Sequence, residues 1–320
     1  MPQRSWFAPF VVVFWCITSG WLLVAKVLPS LDTGSPPGYQ AFYASGSSLL
    51  PVAWSVSWNG TPVGWALAES SRTATGGLDV ETRLQFERMP VDEILPKWVG
   101  PMVERIAPLQ KSVSFGAVGR LSIDETGALR DFRSDVAIPG TDQRVVLAGT
   151  VQDGAVSITI RAGDLEYETT RNLPSQMMLG DELSPHASLP GLYEGRRWTV
   201  PVYSPLRPGH APLEILHAEV GPEEMLFWEN RLVRTHVVSY REDPSSRREP
   251  RCRIWVDQAG RVLRQEAAIL GAKMAFVRRS DEAAVRLATE VAARLRSGIP
   301  NPTAAAPIDA EPTAAGESSP

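Results

Sequence analysis

Between residues 52 and 277 apolar and polar side chains alternate with a period of two. That period marks strands with one buried and one wet face, and hence an antiparallel sheet. In Leu78–Glu87, Leu78, Val80, Leu84 and Phe86 alternate with Asp79, Glu81, Arg83, Gln85 and Glu87. Val52–Trp58 alternates too and runs into Asn59-Gly60, a strong two-residue hairpin signal because both turn residues need positive φ. A plain two-residue turn there predicts Trp58 opposite Thr61, Val56 opposite Val63 and Trp54 opposite Trp65. Asp153-Gly154 joins 145–152 to 155–162 in the same way, with Val151 opposite Val156 and Leu147 opposite Ile160.

The same reading puts Val113, Phe115, Ala117, Leu121 and Ile123 on one inner side, followed by Phe132, Val136 and Ile138. Leu165, Tyr167 and Thr169 continue it. After a loop-rich insert at 173–195, strands resume at 197–202, 213–220, 225–228, 232–240, 252–256, 262–270 and 273–277. The loop 241–251 is charged and expected to be mobile.

Three stretches leave this period. Residues 90–107 place Ile94, Leu95, Trp98, Met102, Val103 and Ile106 on broken helical turns interrupted by Pro96 and Pro101, which predicts short helices covering a sheet face. Asp281–Arg296 carries a helical stripe of Ala284, Leu287, Ala288, Val291 and Leu295, with Ser280 placed to cap it. Trp6–Ala25 is twenty residues without a charge, enough at about 1.5 Å per residue to cross a hydrocarbon layer of roughly 30 Å. An uncleaved anchor is preferred there to a cleaved signal or a buried helix. The only tolerable cleavage triplet, Thr18-Ser19-Gly20, lies inside the run, and no Ala-x-Ala follows it. The amino terminus and Arg4 outweigh Lys26, which puts the short basic end in the cytoplasm and the bulk of the chain outside it.

The chain thus divides into an anchor (1–28), a Pro/Gly/Ser-rich linker (29–51), a mainly β antiparallel domain (52–279), a C-terminal helix (280–297) and a disordered tail (298–320). Net charge is −4, which argues against an electrostatic grip on nucleic acid. Of 32 basic residues only Lys26, Lys97, Lys111 and Lys273 are lysines, a bias expected of a GC-rich bacterial genome. The two cysteines, Cys16 in the apolar run and Cys252 in the β domain, cannot pair, so core burial alone must stabilise the fold. Arg251 and Arg253 flank Cys252 and would activate its thiol; a buried, inert strand thiol is the preferred reading.

No phosphate loop, GxGxxG, HExxH, CxxC or Gly-x-Ser-x-Gly occurs. No two of His186, His210, His217 and His236 are spaced i,i+4, so no metal site and no cofactor are expected. Asp181, Ser184 and His186 are read as a surface loop, and Arg247, Arg248, Arg251 and Arg253 as solvated rather than headgroup-binding. The tryptophans carry more information. Trp54, Trp65, Trp98 and Trp198, with Met177 and Met178 as a soft edge, are candidates to line an apolar pocket; filling a large core is the competing role.

Arg120–Arg130 and Arg253–Arg264 both read as strand, Asp-x-x-Gly turn, strand. Either a meander reuses a favourable turn or the domain has two similar halves, 52–172 and 196–279. The second of these hairpins, with its Trp-Val-Asp, Gly turn and Val-Leu-Arg-Gln-Glu, resembles the closing strands of bacterial periplasmic proteins of the lipoprotein-carrier (LolA/LolB-like) type. Trp58-Asn-Gly-Thr-Pro-Val-Gly64 is similar to the opening hairpin in a relative of that group. The resemblance implies a long curved sheet, a half-barrel whose concave face is covered by helices and holds lipid or acyl chains. It carries over no functional position, and this chain departs from it in length and in its membrane segment.

The combined expectation is a single-pass membrane protein on the periplasmic side, non-enzymatic, binding a lipid or acyl ligand. A tethered structural or partner-binding subunit of an envelope complex is the alternative, and a hydrolase with residues gathered from several loops is the third. No catalytic residue is assigned.

Overall fold

The computed structural model describes residues 7–24, 34, 36–38, 41, 49–90, 112–137, 144–172, 178–179, 185–203, 213–269 and 271–297. The expected helical cover after Pro90, Trp98, Met177, Ile138 and the tail from 298 lie outside them. The N-terminal apolar run forms helix α1, Phe7–Leu22, of 16 residues. Such a helix rises about 24 Å, and among the described residues no helix is long and apolar enough to cross a membrane.

Fifteen strands follow among the described residues. Eight form a first meander: β1 (Val52–Trp58), β2 (Thr61–Arg72), β3 (Leu78–Pro90), β4 (Ser112–Ile123), β5 (Leu129–Ala137), β6 (Arg144–Gln152), β7 (Ala155–Ala162) and β8 (Leu165–Asn172). The two-residue β9 (Met178–Leu179) leads to a second: β10 (Arg197–Tyr203), β11 (Leu213–Trp228), β12 (Arg231–Arg241), β13 (Cys252–Asp257), β14 (Val262–Ile269) and β15 (Ala272–Arg278). All belong to one open sheet, ordered β8-β7-β6-β5-β4-β3-β2-β1-β15-β14-β13-β12-β11-β10-β9. Every pairing is antiparallel except that of β9 with β10. The two meanders are joined edge to edge by the first strand and the last, with Trp54 opposite Arg278 and Trp58 opposite Met274.

The sheet curls until its arms meet. One continuous core holds Leu78, Phe132, Val156 and Ile158 from the first meander together with Trp198, Val200, Val238 and Val256 from the second. A second cluster, around Trp54, Val56, Phe86 and Phe276, fills the bend where β1 meets β15. Burial of each such side chain contributes roughly 1.5–3 kcal/mol. Phe132 is seated over Gly149 across the β5–β6 ladder, where any Cβ would lie 2.4 Å from its ring.

Two expectations about this sheet need correcting. The β1–β2 hairpin turns at Asn59-Gly60, both at positive φ, and pairs Trp58 with Thr61. A bulge then intervenes, so that Val56 faces Gly64, Trp54 faces Ala66, and Trp65 faces Ser55. One extra residue, Val63, moves Trp65 to the opposite side of the sheet from Trp54, because side chains alternate with a period of two. Gly64 belongs to this arrangement: a Cβ there would lie 1.9 Å from the carbonyl oxygen of Gln85 on β3.

The second correction concerns the helical cover. Helix α2, Asp281–Arg296, is capped by the Ser280 hydroxyl, which accepts from Ala283 N at 3.2 Å. Its Ala284, Leu287, Ala288 and Val291 pack on Ala53, Leu67 and Trp65, the face turned away from the main core. This helix therefore covers the convex side of the sheet; the resemblance implied helices on the concave side.

Candidate functional site

The inner face of the curled sheet carries the main core, and its two ends differ. At one end the turns 73–77, 124–128 and 257–261 come together with the end of β15, and the extended segment 185–192 enters the core between them. Pro185, Ala187, Ser188 and Leu189 are buried there. Leu189 N donates to Gly260 O at 2.7 Å, and Ala187 O accepts from Val262 N at 3.2 Å and from the Arg278 guanidinium at 3.0 Å. Ser188 adds a bridge to Arg261 and donates its hydroxyl to Ala41 O. The only sequence signal for this plug is the short apolar pair Ala187 and Leu189, set among prolines that read as loop.

His186 is drawn in with the plug, so it does not belong to a surface loop. Gln265, buried on β14, offers its side-chain oxygen to both His186 N at 3.1 Å and His186 Nδ1 at 3.0 Å. An amide oxygen only accepts, so Nδ1 carries the hydrogen. Burial lowers the imidazole pKa to about 4, against a smaller upward pull from Gln265, and the ring is neutral at pH 7. The ring is held by Gln265 and the Ser188 hydroxyl donates to Ala41 O. Asp181 and Ser184 lie outside the described residues.

Arg278 closes the plug end from β15. Its guanidinium is buried, binds Ala187 O and lies 3.3 Å from Asp281 at the start of α2. Burial pulls its pKa down and Asp281 opposes that. Above it the tip of the β11–β12 hairpin folds over, and the Trp228 indole donates to Arg278 O at 2.7 Å.

Toward the opposite end, and toward the β8 edge, burial of the inner face fades. Val136, Val145 and Ile160 are half-buried. Beyond them on the same face of the β7–β8 ladder, Tyr167 is 57% and Leu165 76% exposed. None of the β8 side chains described is buried, and one side of its backbone faces no strand among the described residues.

The sequence-proposed pocket residues scatter over this frame. Trp54 and Trp198 are on the inner face, fully buried in two different clusters. Trp198 stacks edge-on against Tyr240 at 6.1 Å, and burial raises the Tyr240 phenol pKa. Trp65 is under α2 on the other side. Met178 lies on β9 beside Val202, while Trp98 and Met177 lie outside the described residues.

The loop 241–251 is folded, with Arg241 donating to Ser246 O and Arg248 O. It encloses a hollow of about 650 Å³ lined by Arg241, Arg248 and Arg251 but also by Glu242, Asp243 and Glu249. Arg251 is tied to Glu214, and Lys273 to Glu249 at 3.0 Å, so the charges largely neutralise one another. Beside it the Cys252 thiol is pushed up to about 12 by burial, which outweighs the lowering by Arg251. Among the described residues no group of three metal-binding side chains occurs.

No family model matches the sequence, and no curated protein matches it. Among solved structures it is similar to the crystal structure of a beta-barrel-like protein of domain of unknown function DUF1849 from Brucella abortus. The TM-score is 0.43 at 11% identity, covering 72% of this chain and 97% of that one.

Proposed function

We propose that this chain is a membrane-held protein of the bacterial envelope, lying on the periplasmic side. In this reading its curled sheet takes up a lipid or acyl chain without catalysis. The supporting observation is the course of the inner face among the described residues: an apolar surface that is core at the plug end continues to Tyr167 and Leu165 at the β8 edge, both exposed. Apolar surface left open in this way marks a binding site more often than a defect. The likeness of the two hairpins to lipoprotein-carrier proteins points in the same direction. Anchoring rests on the uncharged run Trp6–Ala25 and on α1, whose Phe10, Phe14, Trp15 and Trp21 are all exposed.

Trp54 and Trp198 contribute as filler of the wall, being fully buried. The ligand is expected along Val136, Val145, Ile160, Leu165 and Tyr167. Native mass spectrometry of the detergent-purified full chain tests this reading, with a copurifying lipid as the expected result. Leu165→Ser with Tyr167→Ser should reduce its occupancy several-fold while leaving the circular dichroism unchanged. A ligand-free protein that also fails to bind a fluorescent fatty acid would contradict it. That result would favour the second reading, a tethered subunit of an envelope complex, for which the edge of β8, unpaired among the described residues, is the attachment a partner strand would use.

A further inference from the structure

The β11–β12 hairpin is longer than the sheet requires. β10 begins at Arg197, opposite Glu219, but β11 continues nine residues further, to Trp228, about 30 Å along a strand. The register shifts between Val220 and Glu223, and beyond that point the two faces of the hairpin have different fates. One face carries Trp228 and Thr235 and is buried against the body, with Trp228 bonded to Arg278 O. The other carries Met225, Phe227 and Leu232, with Phe227 directly opposite Leu232. These three are 57%, 68% and 63% exposed.

The linker from α1 reaches the domain on the same side. Gly34 N donates to Arg197 O at 2.8 Å, and Ala41 O accepts from Ser188 in the plug. Val24 and Gly34 are only ten positions apart, a reach of at most about 35 Å. The tether thus joins the domain at the plug end, the end from which the hairpin tip projects.

We propose that Met225, Phe227 and Leu232 form a membrane-contacting tip that dips into the interface of the bilayer holding α1, with the plug end facing the lipid and the open inner face turned away. This rests on the reading of α1 as an anchor. Laid on its exposed face, the hairpin puts Met225, Phe227 and Leu232 against the interface, with Arg234, opposite Met225, placed for the headgroup layer. The tether and the tip fix the domain at two points and set its orientation.

The test uses the full chain with Cys16→Ser and Cys252→Ser, so that an introduced thiol is labelled alone. An NBD probe is placed at Leu232→Cys or, as a control on the opposite end, at Asp164→Cys. Both proteins are reconstituted in phosphatidylethanolamine/phosphatidylglycerol vesicles. The expected result is flotation of both proteins, a blue shift and quenching by doxyl-labelled lipid for the probe at 232, and neither change for the probe at 164. Phe227→Ser should weaken the shift at 232 without preventing flotation. Flotation with a probe at 232 that remains in water would overturn the tip contact and leave the anchor standing. Failure to float would overturn both.

Discussion

His186 shows how much the surroundings of a single side chain decide. Four residues upstream of Pro190 in a proline-rich stretch, it reads as loop; in the fold its ring is held by Gln265 inside the plug. Its pKa of about 4 in the fold lies below the unfolded value near 6.5. Stability is therefore present in full above 6.5 and is lost as the pH falls through that window toward 4. The loss is at most about 3 kcal/mol, since part of the residue reaches solvent. Urea midpoints measured across this range should decline more steeply for the wild type than for His186→Gln. Parallel profiles would mean that the ring does not resist protonation. Nothing in the sequence marked this histidine, because its partner Gln265 is 79 residues away. Trp65 was misplaced for a related reason: the side it faces depends on a bulge that accommodates the backbone of β3, a strand not yet in view when the hairpin is read alone.

Among the elements, the two Asp-x-x-Gly hairpins are built alike. Asp124 Oδ1 accepts from Thr126 N and Ala128 N at 2.9 Å, and Asp257 Oδ1 accepts from Ala259 N at 3.0 Å and Arg261 N at 2.9 Å. Gly127 and Gly260 take φ of 84° and 80°. Around Asp124 slight burial raises the carboxyl pKa, but the Thr126 hydroxyl and the turn amides outweigh it and hold the group low. The environments differ: Asp257 is buried and also binds the Arg261 guanidinium at 2.8 Å, beneath the plug. Asp257→Ala should therefore cost about 2–3 kcal/mol and Asp124→Ala about 1, because the Asp257 carboxylate is buried and holds a guanidinium in addition to the two turn amides. Equal losses in urea unfolding would show that the plug adds nothing to the turn. Such turns were legible because Asp and Gly act locally, as were the Asp153-Gly154 hairpin, with Val151 facing Val156, and the capped helix α2. The Glu229-Asn230 turn, with both residues at positive φ, carries no Asn-Gly signal and went unmarked. The plug was missed because its hydrogen bonds are with distant strands.

At the scale of the whole molecule, alternation assigned most strands an inner and an outer side but could not order them. One clue to the closure was present: Val52, Ala53 and Trp54 are three consecutive apolar residues, and in the fold all three are buried, inward against the core or outward under α2. A strand covered on both faces belongs in the middle of a sheet, which is where β1 lies once β15 pairs with it. A chain ending at residue 270 lacks β15 and α2 and leaves β1 with an open edge and an uncovered outer face. It should show no cooperative unfolding transition by circular dichroism, where the full chain shows one. A sharp transition in the shortened chain would mean that the first meander is a folding unit by itself.

That pairing also has a bearing on how the protein is made. Translation delivers β1 well before β15, with more than 200 residues between Trp58 and Ala272. At about 5–20 residues per second the opening strand, with Trp54 and Trp58, waits roughly 10–40 s for its partner. During that interval no order of local steps can complete the sheet. Until β15 has emerged, β1 keeps an open edge carrying Trp54 and Trp58, a template for pairing with other chains that only the closing strand removes.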